Sequence, residues 1–217
     1  MSLMEAVPKE TALEAGGYVK GVAIAVVTQN SNPNHEDVPS QYCVKVRYPW
    51  NSKDANSYWA RIAVPMAGKD RGVYFLPEVG DEVLVAFERE DLRFPYVIGA
   101  LWNGKHTPPE TNKDGKNDKR MIRSRKGHRL VFDDGTRGSV ELELNDGKKL
   151  VLDDDGVRID DGKGNQLSIQ SKSGAITIEA KGKLTLKGGS VSIESKGQVD
   201  VQAGPLLSLQ GTQININ

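Results

Sequence analysis

The chain has 217 residues, 37% of them hydrophobic and only 6% aromatic, and its 29 Lys and Arg balance 29 Asp and Glu. That balance excludes a surface built to track a phosphate backbone, so no nucleic acid is expected as a partner. A single cysteine excludes an internal disulfide, and three scattered histidines spell out no metal-ligand cluster, so neither a metal nor a cofactor is expected.

The opening MSLMEAVPKE is charged and broken by proline, with no apolar stretch suited to a signal peptide or a membrane span, which reads as a protein made in the cytosol. Residues 1–17 are expected to be a tail, with a weak helical pattern over Lys9–Ala15. Strands begin at Tyr18: GYVKGVAIAVVTQ, then a polar loop, then QYCVKVRYPW, where Val44, Val46 and Tyr48 alternate with Lys45 and Arg47 as in a half-buried strand. Cys43, inside that alternation, is expected to be a core residue. YWARIAVPMAG, GVYFLPEVGDEVLVAFE and PYVIGALWNG complete five or six strands with no sustained helical period. That number and spacing suit a small barrel of the OB type over residues 18–103.

Residues 104–122, rich in Asn, Lys, Pro and Asp, read as a linker. From 123 onward apolar residues recur two apart: Leu130 and Phe132, Val140 with Leu142 and Leu144, Leu150 and Leu152, Val157 and Ile159, Leu167 and Ile169. After Gly174 the pairs become regular: Ile176 and Ile178, Leu184 and Leu186, Val191 and Ile193, Val199 and Val201, Leu207 and Leu209, Ile214 and Ile216, at steps of 8, 7, 8, 8 and 7 residues with glycines between. Period two puts each pair on one face of a short strand. No such unit buries its pair alone, so stacking into a rod is obligatory. These twelve residues are the expected needle core. Two rods fit the periodicity: one chain coiling on itself as a solenoid, or three chains wound about a common axis.

Three clusters invite a chemical reading. Asp153, Asp154, Asp155, Asp160 and Asp161 lie near Gly156 and Gly162, but their spacing matches no calcium loop and they read as solvated turn residues. Glu78, Asp81 and Glu82 have no nucleophile or histidine partner in the sequence around them and read as the bracket of a turn at Val79–Gly80. Tyr48, Trp50, Tyr58 and Trp59 are expected to pack against a neighbouring protomer or the needle's neck. No catalytic constellation is visible, and the chain is not expected to be an enzyme.

The runs VKVRYPW (44–50), WAR (59–61), PMAGK (65–69) with RG (71–72), FLPEVGDEVLVAF (75–87) and VIGALWNGKHTPP (97–109) resemble the OB domain of the central spike proteins of contractile injection systems. That family comprises VgrG and the phage baseplate assembly protein gpV. IRSRKGHRLVFDD (122–134) and LVLDDDG (150–156) resemble the neck of VgrG. The resemblance implies an all-β chain with an N-terminal OB-fold barrel and, over 123–217, an intertwined triple-stranded β-helix that exists only in the homotrimer. It also implies hub and tube-baseplate proteins at the barrel end and, at the other, a PAAR-repeat tip protein meeting Ile214, Asn215, Ile216 and Asn217. VgrG carries hub domains before its OB fold, so the expectation is a stand-alone spike or a piece of a longer chain. Assembly in the cytoplasm and delivery at a target membrane on contraction are part of what the resemblance implies. A β-helical receptor-binding fibre or an effector-carrying spike is the alternative.

Overall fold

The computed structural model describes residues 18–31, 42–50 and 57–216. The expected tail over 1–17, most of the two polar loops between the first strands, and Asn217 lie outside the described residues. The chain divides into two units, the first ending at Lys113 and the second beginning at Asp114.

The first unit holds β1 (Val22–Gln29), β2 (Cys43–Arg47), β3 (Ala60–Ile62), β4 (Ala67–Gly68), β5 (Arg71–Gly72), β6 (Glu82–Phe87) and β7 (Pro95–Leu101). The order β1-β2-β3-β7-β6 closes on itself as a barrel. Its pairs are antiparallel except β3 with β7, where Arg61 pairs Tyr96 and Ile62 pairs Val97 in parallel. This is the five-stranded closure of an OB barrel, which leaves no free edge. The alternation read from the sequence sets what lies inside. Ala23, Ala25 and Val27 of β1, Val44 and Val46 of β2, Val83, Val85 and Phe87 of β6, and Val97 of β7 form the core.

Two expected strands are shorter than their apolar runs. From 58 to 68 only Ala60–Ile62 joins the barrel, and Pro65, which has no N–H to give a ladder, follows at once. From 72 to 88 the barrel strand is Glu82–Phe87, with Pro77 and a turn before it. In that turn the Glu78 N–H donates to Asp81 Oδ2 at 2.8 Å, the Asp81 N–H to the Glu78 carbonyl at 3.0 Å, and the Gly80 N–H to the Val27 carbonyl at 2.9 Å. Glu78 and Asp81 therefore do bracket the turn. Glu82 lies at the start of β6 and accepts from Asn103 Nδ2 at 3.1 Å.

Cys43 is buried, yet it stands outside the core cluster, because it precedes Val44 and so points to the other side of β2. Burial pushes its thiol up from the ordinary value, with the Arg61 charge pulling more weakly the other way. Tyr48 lies inside the barrel, as its alternation with Lys45 and Arg47 reads, and not against a neighbouring protomer or the needle's neck as expected for the four aromatics. It is 3% exposed, stacks on Trp50 at 4.9 Å between centroids and tilts against Phe87 at 5.7 Å. Its hydroxyl makes no hydrogen bond of normal geometry among the described residues; burial pushes its pKa up, and the neighbouring Ser57 side chain pulls more weakly the other way. The nearby chemistry is spent elsewhere: the Ser57 hydroxyl accepts from the Val46 N–H at 3.0 Å and donates to the Tyr58 carbonyl at 2.5 Å. With the hydroxyl buried and only the weak Ser57 interaction beside it, Tyr48→Phe should move stability by no more than about 1 kcal/mol. Thermal melts of the two proteins check this, and a clear loss of stability in the variant would reveal a partner for the hydroxyl.

The second unit opens with β8 (Lys119–Arg123), followed by β9 (Arg129–Asp133), β10 (Ser139–Glu143), β11 (Lys149–Asp153), β12 (Gly156–Asp160), β13 (Gln166–Gln170) and β14 (Ile176–Glu179). They lie in one sheet in sequence order, every neighbouring pair antiparallel. One boundary shifts: the strands begin at Lys119, inside the stretch read as linker, because KRMIR pairs fully with RLVFD despite its charge. Within residues 119–179 each strand pairs with its neighbours in sequence, because the turns reverse the chain. Carboxylates and glycines supply the reversals: Asp153 Oδ1 accepts the N–H groups of Asp155 at 2.9 Å and Gly156 at 3.1 Å, and Asp160 Oδ1 accepts that of Gly162 at 2.6 Å. The aspartates are turn residues, as read from the sequence.

Candidate trimerisation face

The registers of the six hairpins bring the apolar pairs into line. One ladder runs Phe132, Val140, Leu152, Val157, Ile169, Ile176, and a second runs Ile122, Leu130, Leu142, Leu150, Ile159, Leu167, Ile178. Residues opposite one another across antiparallel strands share a face, so both ladders lie on the same side of the sheet. That side is open: Leu142 is 47% exposed, Ile159 50% and Ile178 54%. An apolar face of this extent, continuous across seven strands, is the mark of a surface made to be covered.

The opposite side has a different chemistry. Between and beside Val131 and Val151, each 6% exposed, stand Arg129, Glu143 and Lys149. Arg129 Nε donates to Glu143 Oε2 at 3.0 Å, and Lys149 Nζ lies 3.2 Å from the same oxygen. The Arg129 hydrogen bond, supported by Lys149, holds the Glu143 carboxyl below the ordinary glutamate range. The exposed apolar ladders thus occupy one face, and the Arg129–Glu143–Lys149 cluster stands on the other beside the buried Val131 and Val151.

The turn between β12 and β13 carries a second depressed acid. The Asn165 side-chain amide donates to Asp161, whose other oxygen takes the backbone N–H groups of Asn165 at 3.0 Å and Lys163 at 2.8 Å, and together they bring the carboxyl down to about 2. A group whose folded value is depressed stabilises the fold above its unfolded value, near 4, and loses that contribution as pH falls through the folded one. Sheet stability should therefore fall between about pH 4 and 2. Asp161→Asn should be less stable at neutral pH and flatter across that window. Melting temperatures over a pH series decide the point, and an unchanged slope in the variant would remove Asp161 as a cause.

The expected needle core divides at Glu179. Ile176 and Ile178 lie in β14 and form the last rungs of the two ladders. Leu184, Leu186, Val191, Ile193, Val199, Val201, Leu207, Leu209, Ile214 and Ile216 stay outside any strand, none is buried, and the chain brings no two pairs together by backbone pairing. Ile193 is 75% exposed and Ile216 85%. Asn215 is exposed as well, and Asn217 lies outside the described residues. Spacing gives the reason. Most apolar pairs in the sheet are nine or ten residues apart, enough for a five-residue strand and a reversing turn, whereas beyond Glu179 the step is seven or eight. The one short step inside the sheet, from Leu152 to Val157's pair, uses the two-residue turn Asp154–Asp155 closed by Gly156. The later blocks have no such Asp-Gly chemistry. What the sequence did not signal was the face itself, since the register that aligns the pairs depends on turn lengths more than on the pairs.

Two family models match the chain. The type VI secretion system/phage-baseplate injector OB domain covers residues 23–102, the barrel, and the phage baseplate V C-terminal trimerisation domain covers residues 119–173, most of the sheet. Among curated proteins, the type VI secretion system spike protein VgrG3 of Vibrio cholerae is 34% identical over 107 residues, which is 45% of this chain and 10% of that protein. The actin cross-linking toxin VgrG1 of Vibrio cholerae is 31% identical over 107 residues, 45% of this chain and 9% of the toxin. The spike protein VgrG1a of Pseudomonas aeruginosa is 34% identical over 97 residues, 42% of this chain and 15% of its own length. The chain therefore matches a small part of these relatives. With an injector OB domain followed by a baseplate trimerisation domain, matched together over more than half of its length, the chain belongs to the phage baseplate V and VgrG spike family.

Proposed function

We propose that the chain is the structural spike at the centre of a contractile, phage-tail-like injection system, a homotrimer that pierces the target membrane mechanically when the sheath drives the inner tube forward. The single observation that carries this reading is the open apolar face of the seven-stranded sheet, which falls on the stretch matching a trimerisation domain. Three such faces turned to a common axis bury both ladders and leave the Arg129–Glu143–Lys149 face in water. Sheets closed about an axis expose no lateral strand edges, and their strands part only when many backbone hydrogen bonds break together. That is a structure suited to load and not to catalysis.

On this reading the barrel, residues 18–103, joins hub and tube-baseplate proteins, residues 104–118 lead to the sheet, and the repeats to residue 217 form the needle. Among the described residues no helix is long and apolar enough to cross a membrane. The decisive measurement is mass in solution by light scattering. A trimer of the 23.7 kDa chain is expected, and a stable monomer at all concentrations overturns the spike.

The needle's end presents Ile214, Asn215, Ile216 and Asn217, the proposed seat of a PAAR-repeat tip protein. Deleting residues 212–217 should abolish binding of the PAAR protein encoded with the same machine while leaving the mass trimeric, as read by pull-down and light scattering. Unchanged binding after the deletion would place the contact elsewhere.

A further inference from the structure

We propose that the sheet β8–β14 is a plate that folds within the single chain and then sets the register in which the repeats after Glu179 assemble between copies. The inference rests on the trimeric spike reading and adds a division of labour to it. Three observations carry it. First, every strand of residues 119–179 pairs along the backbone with a neighbour inside the chain, while residues 180–216 form no backbone–backbone pair among the described residues and bond through groups such as the Lys181 N–H, which donates to Asn165 Oδ1 at 2.9 Å. The strands of the plate form their ladders without a second copy, and the repeats do not.

Second, the repeats are nearly uniform. Their apolar pairs recur every seven or eight residues, so a copy displaced by one repeat still sets pair against pair at every interior level and loses contacts only at the ends. Register is weakly specified wherever the pattern that defines it repeats itself, and such arrangements are kinetic traps. The plate does not have this degeneracy. Its first ladder ends on a charge: Arg120 lies across from Phe132 on the apolar face, where its guanidinium is held by Asp134 Oδ2 at 2.6 Å and by the Asn117 carbonyl at 2.9 Å. A copy displaced along the plate would set that guanidinium and its Asp134 partner against a neighbour's apolar ladder, at the cost of taking an ion pair out of water.

Third, the two regions share a rung. Ile176 and Ile178 are the last members of both ladders and the first pair of the repeat series. Alignment of three plates therefore fixes the level at which the first repeat meets its neighbours, and each later repeat follows in step.

Hydrogen exchange pulses during refolding of the full chain, at two chain concentrations, test the order. Amides of β9–β13 should gain protection first and at a rate independent of concentration, and those of 180–216 later, in a phase that quickens with concentration. Two variants test the hierarchy at equilibrium. Leu142→Asp, in the plate, should strip protection from 180–216 although it lies far from them in sequence. Ile193→Asp should loosen the repeats while leaving a trimer with a protected plate. Protection of 180–216 before or together with the plate overturns the inference, as does a Leu142→Asp protein with protected repeats or an Ile193→Asp protein that loses the plate. If those results come from a proven trimer, the spike reading stands and only the register role falls. A parent chain that never trimerises overturns both.

Discussion

Leu142→Asp should convert a trimer into monomer or insoluble protein. Leu142 sits in the middle of the longer ladder, between Leu130 and Leu150, and in an assembly closed about an axis it meets its two symmetry mates. Substitution brings three carboxylates into one dry layer. Each lacks a hydrogen-bonding partner there, and the penalty is on the order of several kcal/mol per chain, beyond what ordinary core changes cost. Glu141→Gln is the matched control, because the neighbouring side chain points to the charged side of the same strand, and it should move stability by no more than about 0.5 kcal/mol. Light scattering and thermal melts separate the two. A Leu142→Asp protein that remains a trimer with the parent's melting temperature would show that this face is not what holds the copies together.

Gly156→Ala should damage the sheet through the backbone alone. Gly156 opens β12 after the two-residue turn, with φ of +140°, and a methyl group added there would stand 1.9 Å from the Ile169 carbonyl oxygen of β13. Backbone cannot yield as a side chain tip can. The β12–β13 register, which aligns Val157 with Ile169 and Ile159 with Leu167, would have to open. Strain and lost pairing together should cost roughly 3 kcal/mol or more. Gly147→Ala offers the comparison: its φ of +90° also favours glycine, but open space surrounds it, so the cost should be nearer about 1 kcal/mol. Chemical denaturation ranks the two variants, and equal losses would mean that backbone conformation alone, and not the approach of β13, sets the demand for glycine at 156.

These predictions share one physical picture. The charged face of the sheet is satisfied within the chain, through Arg129, Glu143 and Lys149, and tolerates water. The apolar face is left open by the chain itself. A spike assembled in this way gains its stiffness from association, so lesions on the ladder side should appear as loss of mass and lesions on the charged side as modest shifts in melting.

Much of the molecule was legible from residue order alone. Period-two alternation placed Val44, Val46 and Tyr48 on one side of a strand, and the barrel buries all three. The aspartates near Gly156 and Gly162 read as turn residues because carboxylates beside glycines close reversing turns, and they do. The apolar pairs from Leu130 to Ile178 announced short strands that must stack. What alternation cannot express is which strand lies beside which. The parallel pairing of β3 with β7 and the antiparallel pairing of β1 with β6 join residues far apart in the chain, and together they close the barrel. Cys43 sits in the same apolar run as Val44, but strand direction puts it outside the core cluster. KRMIR looks like linker because of its charges, and only its pairing with RLVFD makes it a strand. The pairs of 123–179 and those after Glu179 share the same two-apart pattern, but longer steps and Asp-Gly turn chemistry let the first set pair within the chain, while the second forms no backbone pairs in it. A local pattern determines which side chains share a face; only the register of strands in space determines whether that face is covered by the same chain or must wait for another.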